Sequence, residues 1–130
     1  MKAIDTNVLV RVVTRDHPKT ADAIVDYLAQ GGEFFVPITV AFELESVLRC
    51  VYDIKRPAML VAFNALLSNG ALVFEFEAEV EAALDTMTNT KAGFPDALHL
   101  LLAARLKHTP FVTLDKDGSK LPGAERLVLA

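Results

Sequence analysis

Short apolar runs alternate along the chain with longer stretches in which apolar residues recur every three or four positions. The runs at 2–5, 33–36, 71–76, 110–114 and 126–129 have the character of strands buried in a parallel sheet. Between them the spacing turns helical. Ala21, Ile24, Val25 and Leu28 share one helix face. Asp16 is placed to cap that helix, and Pro18 suits its first turn. Val40, Leu44, Val47, Leu48 and Val51 mark a second helix, with Thr39 as its expected cap. A third starts near Pro57, turns Met59, Phe63, Leu66 and Leu67 inward, and stops at the turn-forming Asn69-Gly70 pair. Val80, Ala83, Leu84 and Met87 give a fourth. Residues 95–106 are apolar almost all round, which predicts a helix buried between layers. This alternation predicts an α/β fold: a three-layer α/β/α sandwich around a mostly parallel sheet of about five strands, formed as one domain over residues 1–130.

Composition narrows the setting. Hydrophobic residues make up 52% of the 130 and charged residues 23%, the balance of a chain with a real core. No apolar run reaches the roughly 18 residues that a membrane-spanning helix requires. Lys2 is the only basic residue before Arg11, and Asp5 interrupts the apolar start, so no secretory leader is expected. Cys50 is the single cysteine, which excludes an internal disulfide and suits a reducing cytoplasm. Its apolar surroundings in sequence predict a buried, inert thiol. The net charge of −4 argues against a module that grips nucleic acid through phosphates alone. It leaves room for an enzyme whose bound cations reverse the local field.

The acids carry the candidate chemistry. Asp5 closes the first predicted strand and Asp115 the fourth, so parallel strands would deliver both to one edge of the sheet, where ligands bind in such folds. Asp96 follows Gly93-Phe94-Pro95 at a predicted helix start, where the helix dipole favours its ionised form. Glu43 lies in the first turns of the second helix. Each acid alone has an ordinary reading as a turn, cap or surface residue. Gathered together they would repel one another, which raises carboxyl pKa values unless a cation intervenes. Oxygen-only donors suit Mg²⁺ or Mn²⁺. Zinc is disfavoured, because His17, His99 and His108 show no ligand pairing and one cysteine stands alone. His99 is expected to be a satisfied, buried histidine. Arg11, Arg15, Lys91 and Lys116 are candidates for phosphate contacts, beside the plainer reading of solvated charges. The denser acidic run Glu75, Glu77, Glu79, Glu81 and Asp85 is expected to be a solvated face. Phe34, Phe35 and Phe42 fit either a partner surface or a large core.

At these residues the chain resembles the PIN-domain family, specifically the VapC-type toxins of toxin–antitoxin pairs. Ile4-Asp5-Thr6-Asn7-Val8-Leu9 is similar to that family's opening motif, and Val40-Ala41-Phe42-Glu43-Leu44 to its second. Phe94-Pro95-Asp96-Ala97-Leu98-His99 resembles the third, and Thr113-Leu114-Asp115-Lys116-Asp117 the fourth. The closing Leu121-Pro122-Gly123-Ala124-Glu125 also fits. The resemblance implies Asp5, Glu43, Asp96 and Asp115 as metal-binding, catalytic acids, with Asn7 and Thr113 as supporting groups and Asp117 as a supplementary acid. It further implies a Mg²⁺- or Mn²⁺-dependent endoribonuclease in which a metal-activated water hydrolyses the phosphodiester bond. The expected partners are tRNA, rRNA or mRNA as substrate, a VapB-like antitoxin and a second copy in a homodimer.

Rival classes want other residues. A receiver-like Mg²⁺-binding signalling domain calls for paired acids after the first strand and a lysine after the last. A dehalogenase-type phosphatase calls for a second Asp where Asn7 stands. A catalytically silent PIN scaffold that only binds RNA or protein remains the third alternative, against which all four acids speak.

Overall fold

The structure, a computed structural model, describes residues 1–129. It divides into two compact units, Met1–Glu77 and the chain from Ala78 on. In the first, the elements run β1 (Lys2–Ala3), α1 (Thr6–Thr14), α2 (Pro18–Gln30), β2 (Phe34–Val36), α3 (Ile38–Cys50), α4 (Arg56–Leu67) and β3 (Leu72–Phe74). The strands form one parallel sheet in the order β1-β2-β3, with Ala3 opposite Phe35 and Phe35 opposite Val73. Phe34 and Val36 are buried, and so are Leu72 and Phe74, so alternate residues of β2 and β3 enter the core. Leu9, Ala41, Leu44, Leu48 and Phe63 are wholly excluded from solvent and complete it.

The second unit contains α5 (Glu77–Asn89), α6 (Phe94–Arg105), β4 (Phe111–Thr113), a 3₁₀ turn at Gly118–Lys120, and β5 (Ala124–Arg126). β4 and β5 pair in parallel, Phe111 opposite Ala124. Val80, Ala83, Leu84 and Met87 of α5 are buried as their spacing predicts. The fold is therefore α/β, with parallel strands and six α-helices among the described residues, consistent with a PIN-like α/β/α fold. The predicted sheet of about five strands appears as hydrogen-bonded sheets of three and two.

Local structure departs from the sequence pattern in several places. Residues 6–14 include Val8, Val10, Val12 and Val13, a β-branched content that disfavours helix. They are helical because α1 packs against α2 and α3 and buries Leu9 and Val10. Asp16 does not cap α2; His17 holds the N-cap position without a side-chain bond, and Asp16 turns to Arg11 instead. Thr39 lies inside α3, whose N-cap is Pro37. The last strand is Ala124–Arg126, not 126–129. Gly123, at φ +89°, turns the chain so that its carbonyl accepts from Phe111 N and pairing begins at once. Leu127, Val128 and Leu129 are exposed, so their apolar character misdirected the assignment.

Burial departs from the pattern as well. The helix over 95–106 is not enclosed: Leu101 and Leu102 are half-buried and Leu106 is exposed. His99 is exposed on it, with its ring 6.2 Å from that of Phe111. Cys50 is exposed at the end of α3, off the face that buries Ala41, Leu44 and Leu48. The acidic run is not uniformly solvated. Glu79 forms an ion pair with Arg105, and Glu75 reaches back to α3. Phe34 belongs to the core, tilted against Tyr27 at 5.4 Å between ring centroids. A Cβ on Gly31 would stand 2.9 Å from Phe34 Cζ, so any larger residue there would displace the end of that ring.

Candidate active site

Asp5 and Glu43 belong to the first unit. β1 stops at Ala3, and Asp5 forms the N-cap of α1, its Oδ1 accepting from Thr6 N at 2.8 Å. Glu43 is exposed on α3, the helix that packs against α1. The two acids line the same two cavities. One, of about 590 Å³, adds Thr39, Val40, Phe42 and Ser46. The other, of about 300 Å³, adds Thr6, Asn7, Val10, Arg11, Val47 and Tyr52. Asn7 thus stands beside the acids it was expected to support. Thr6 Oγ1 is a buried oxygen without a hydrogen-bond partner at this wall.

Asp96 and Asp115 belong to the second unit. Asp96 lies in the first turn of α6, which starts after Gly93 and carries Pro95 in that turn. Asp115 follows β4, and its backbone N donates to Thr113 Oγ1 at 3.0 Å. Asp115 Oδ2 accepts from Gly118 N at 2.5 Å, which closes the turn into the 3₁₀ segment. Gly118 is buried against both acids. A Cβ there would lie 3.0 Å from Asp115 Oδ2 and 3.3 Å from Asp96 Cγ. Burial pushes the Asp96 carboxyl above its ordinary value, and the Asp115 charge pushes it the same way, against a smaller opposing pull from His99. The helix-start argument for a more readily ionised Asp96 is therefore outweighed by desolvation and by its acidic neighbour.

The supporting and basic candidates separate clearly. Asp117 opens the 3₁₀ turn without capping it and sits 4.0 Å from Lys120. Arg15 is engaged with Asp22 at 2.6 Å. Lys91 and Lys116 are exposed. Arg11 lines a cavity with Asp5 and Glu43. Glu45, two residues after Glu43 on α3, is engaged elsewhere. It is 1% exposed and holds Arg49 through both carboxylate oxygens, at 2.9 and 3.3 Å.

Among the described residues, no three His, Cys, Asp or Glu side chains form a metal-binding group by themselves. The donors come in pairs: Asp5 with Glu43, and Asp96 with Asp115. Their chemistry fits a hard divalent cation, since all are carboxylate oxygens, and Asp96 is raised by burial and by the neighbouring Asp115 charge. Among the described residues, no helix is long and apolar enough to cross a membrane.

Parallel strands flanked by helices make an α/β fold, in which Asp5 follows β1 and Asp115 follows β4. The PIN domain family model matches residues 2–124, and the chain belongs to that family. PIN domains are in general metal-dependent nucleases that bind RNA and often an antitoxin partner. No curated protein matches the chain. Sequence reasoning read Asp16 only as a helix cap and passed over Tyr52; Tyr52 lines the Asp5–Glu43 cavity and donates to Asp16 across 36 residues of chain, a bond no motif marks.

Proposed function

We propose that this protein is a Mg²⁺- or Mn²⁺-dependent endoribonuclease, the toxin of a VapBC-type pair. Its metal-binding acids are Asp5, Glu43, Asp96 and Asp115. The observation that carries the reading is the packing of Asp96 and Asp115 about Gly118, with the Asp96 carboxyl raised by burial and by Asp115. Two acids held this way oppose each other's ionisation, and a cation offsets that opposition. When bound, the metal supplies charge to the phosphoryl oxygens and a more acidic water.

The chain's own residues do the positioning. Gly118 N–H fixes one Asp115 oxygen, and Thr113 fixes the backbone beneath it. Asp5 is held by the amide at the start of α1. Asn7 adds a polar group to the Asp5–Glu43 cavity, and Asp117 follows Asp115 as a supplementary acid. The substrate is RNA, with tRNA, rRNA and mRNA as its forms. A VapB-like antitoxin that covers the acids, a homodimer and a cytoplasmic setting complete the reading.

The test is cleavage of total tRNA and structured RNA by partner-free protein in Mn²⁺, Mg²⁺ and EDTA, beside Asp5→Asn. Metal-dependent cutting that the variant loses supports the nuclease. Mn²⁺ binding by calorimetry, lost in Asp96→Asn, supports the ligand set independently of activity. Folded, metal-loaded protein that cuts no RNA turns the assignment to a silent scaffold.

A further inference from the structure

The 300 Å³ cavity shared by Asp5 and Glu43 has one wall of different chemistry. Arg11 on α1 and Tyr52, in the loop after α3, bring a guanidinium and an aromatic ring to it. Both are tied to a single carboxylate. Asp16 Oδ2 accepts from Arg11 Nη1 at 2.6 Å and from Tyr52 Oη at 3.0 Å. Asp16 Oδ1 accepts from Thr14 Oγ1 at 3.0 Å.

The Arg11 and Asp16 side chains are 36% and 32% exposed, so this network stays open to solvent. Ion pairs so exposed contribute little to folding stability. What the network does is fix two flexible groups in place. A long arginine and a loop tyrosine ordinarily lose rotamer freedom when they bind a ligand; here that loss is incurred on folding. The bond to Asp16 engages Nη1 and leaves the rest of the guanidinium fork for another oxyanion. The tyrosine ring offers a face on which any base can stack.

We propose that this wall is a nucleotide subsite, in which Arg11 takes an RNA phosphate and Tyr52 stacks on the adjoining base. Asp16 is the positioning residue that holds both. The proposal rests on Asp5 and Glu43 acting on RNA.

The test is fluorescence anisotropy with a labelled, short, single-stranded RNA of mixed sequence, in EDTA and again with Ca²⁺. Arg11→Ala and Tyr52→Ala each raise Kd on the order of tenfold, as loss of a phosphate contact or a stack does. Tyr52→Phe keeps the ring but loses the bond to Asp16, and raises Kd about threefold. Asp16→Ala raises Kd about fivefold although it removes a negative charge; a surface acting by charge alone would bind RNA more tightly after that change. Asp16→Asn weakens binding less, because an acceptor oxygen remains. Thermal melts accompany every variant, and Tyr52→Phe and Asp16→Asn carry the test if an alanine variant fails to fold. Asp16→Ala binding at or above wild-type affinity overturns the proposal, as does wild-type protein that binds no RNA. The two readings fail separately. Weakened variants of a protein that cuts nothing leave the subsite standing without the nuclease. Cutting of tRNA by variants whose binding is unchanged does the reverse.

Discussion

Glu75 Oε1 accepts a hydrogen bond from Ile38 N at 2.9 Å, so the segment leaving β3 supplies the acceptor that Pro37 cannot offer to the first turn of α3. A carboxylate also suits the positive end of the helix. Because α3 carries Glu43, this bond sets where one proposed metal acid begins. Glu75→Ala is expected to lower stability by about 1 kcal/mol, the usual loss of an N-terminal capping oxygen. Glu75→Gln keeps the acceptor and should lose less. Chemical denaturation of the three proteins gives the order, and an alanine variant as stable as wild type would show the bond to be dispensable.

Glu45 and Arg49 form an unequal pair. The Glu45 side chain is 2% exposed, while that of Arg49 is 49% exposed. Removing the arginine strands a carboxylate in the core, whereas removing the glutamate leaves a guanidinium that water can reach. Arg49→Ala should therefore destabilise by about 3 kcal/mol, toward the lower end for a broken buried pair because water reaches one partner. Glu45→Gln should destabilise less. Equal losses in denaturant midpoints would remove the asymmetry on which this rests.

The Asp16 carboxyl lies at about 2 against an ordinary 3.8, held down chiefly by its hydrogen bond from Arg11. A folded-state value below the unfolded one means that the interaction contributes fully above pH 3.8 and fades as pH falls toward 2. Carboxyl ¹³C NMR should find this midpoint in wild type and a clear rise toward 3.8 in Arg11→Ala. The Tyr52 hydroxyl is raised above its ordinary value chiefly by its own bond to Asp16, so Asp16→Asn should bring the phenol back down. A midpoint unmoved by Arg11→Ala would mean that other contacts hold the carboxylate.

The elements that were legible in sequence are those with one clean period. α5 shows Val80, Ala83, Leu84 and Met87 and buries all four. α4 stops near Asn69, whose Oδ1 accepts from Ala71 N. Motif order singled out the proposed acids and their neighbours; of these, Asn7 lines a cavity with Asp5 and Glu43, and Thr113 bonds the Asp115 backbone. What the pattern concealed is tertiary in origin. α1 is helical against its valine content because its neighbours bury Leu9 and Val10. Glu75 and Asp16 looked like a solvated acid and a cap; their partners, Ile38 and Tyr52, stand 37 and 36 residues away. No local periodicity encodes a bond across that separation.

Gly118 offers the sharpest probe of the second acid pair. Its φ is not positive, so alanine meets no backbone penalty there. The added methyl would instead stand 3.0 Å from Asp115 Oδ2 and 3.3 Å from Asp96 Cβ and Cγ, and at least one carboxylate must move. Supporting contacts of metal ligands commonly govern affinity by one to two orders of magnitude. Gly118→Ala is thus expected to weaken Mn²⁺ binding about tenfold, with a stability loss near 1 kcal/mol from the crowding. Calorimetric Mn²⁺ titration beside a thermal melt separates the two effects, and Asp96→Asn gives the reference for loss of a ligand. If Gly118→Ala binds Mn²⁺ as wild type does and Asp96→Asn does too, the metal is held by other groups. If only Asp96→Asn loses the ion, the acids bind it but tolerate movement. Loss in both, with an intact fold, ties the ion to the geometry that this glycine permits.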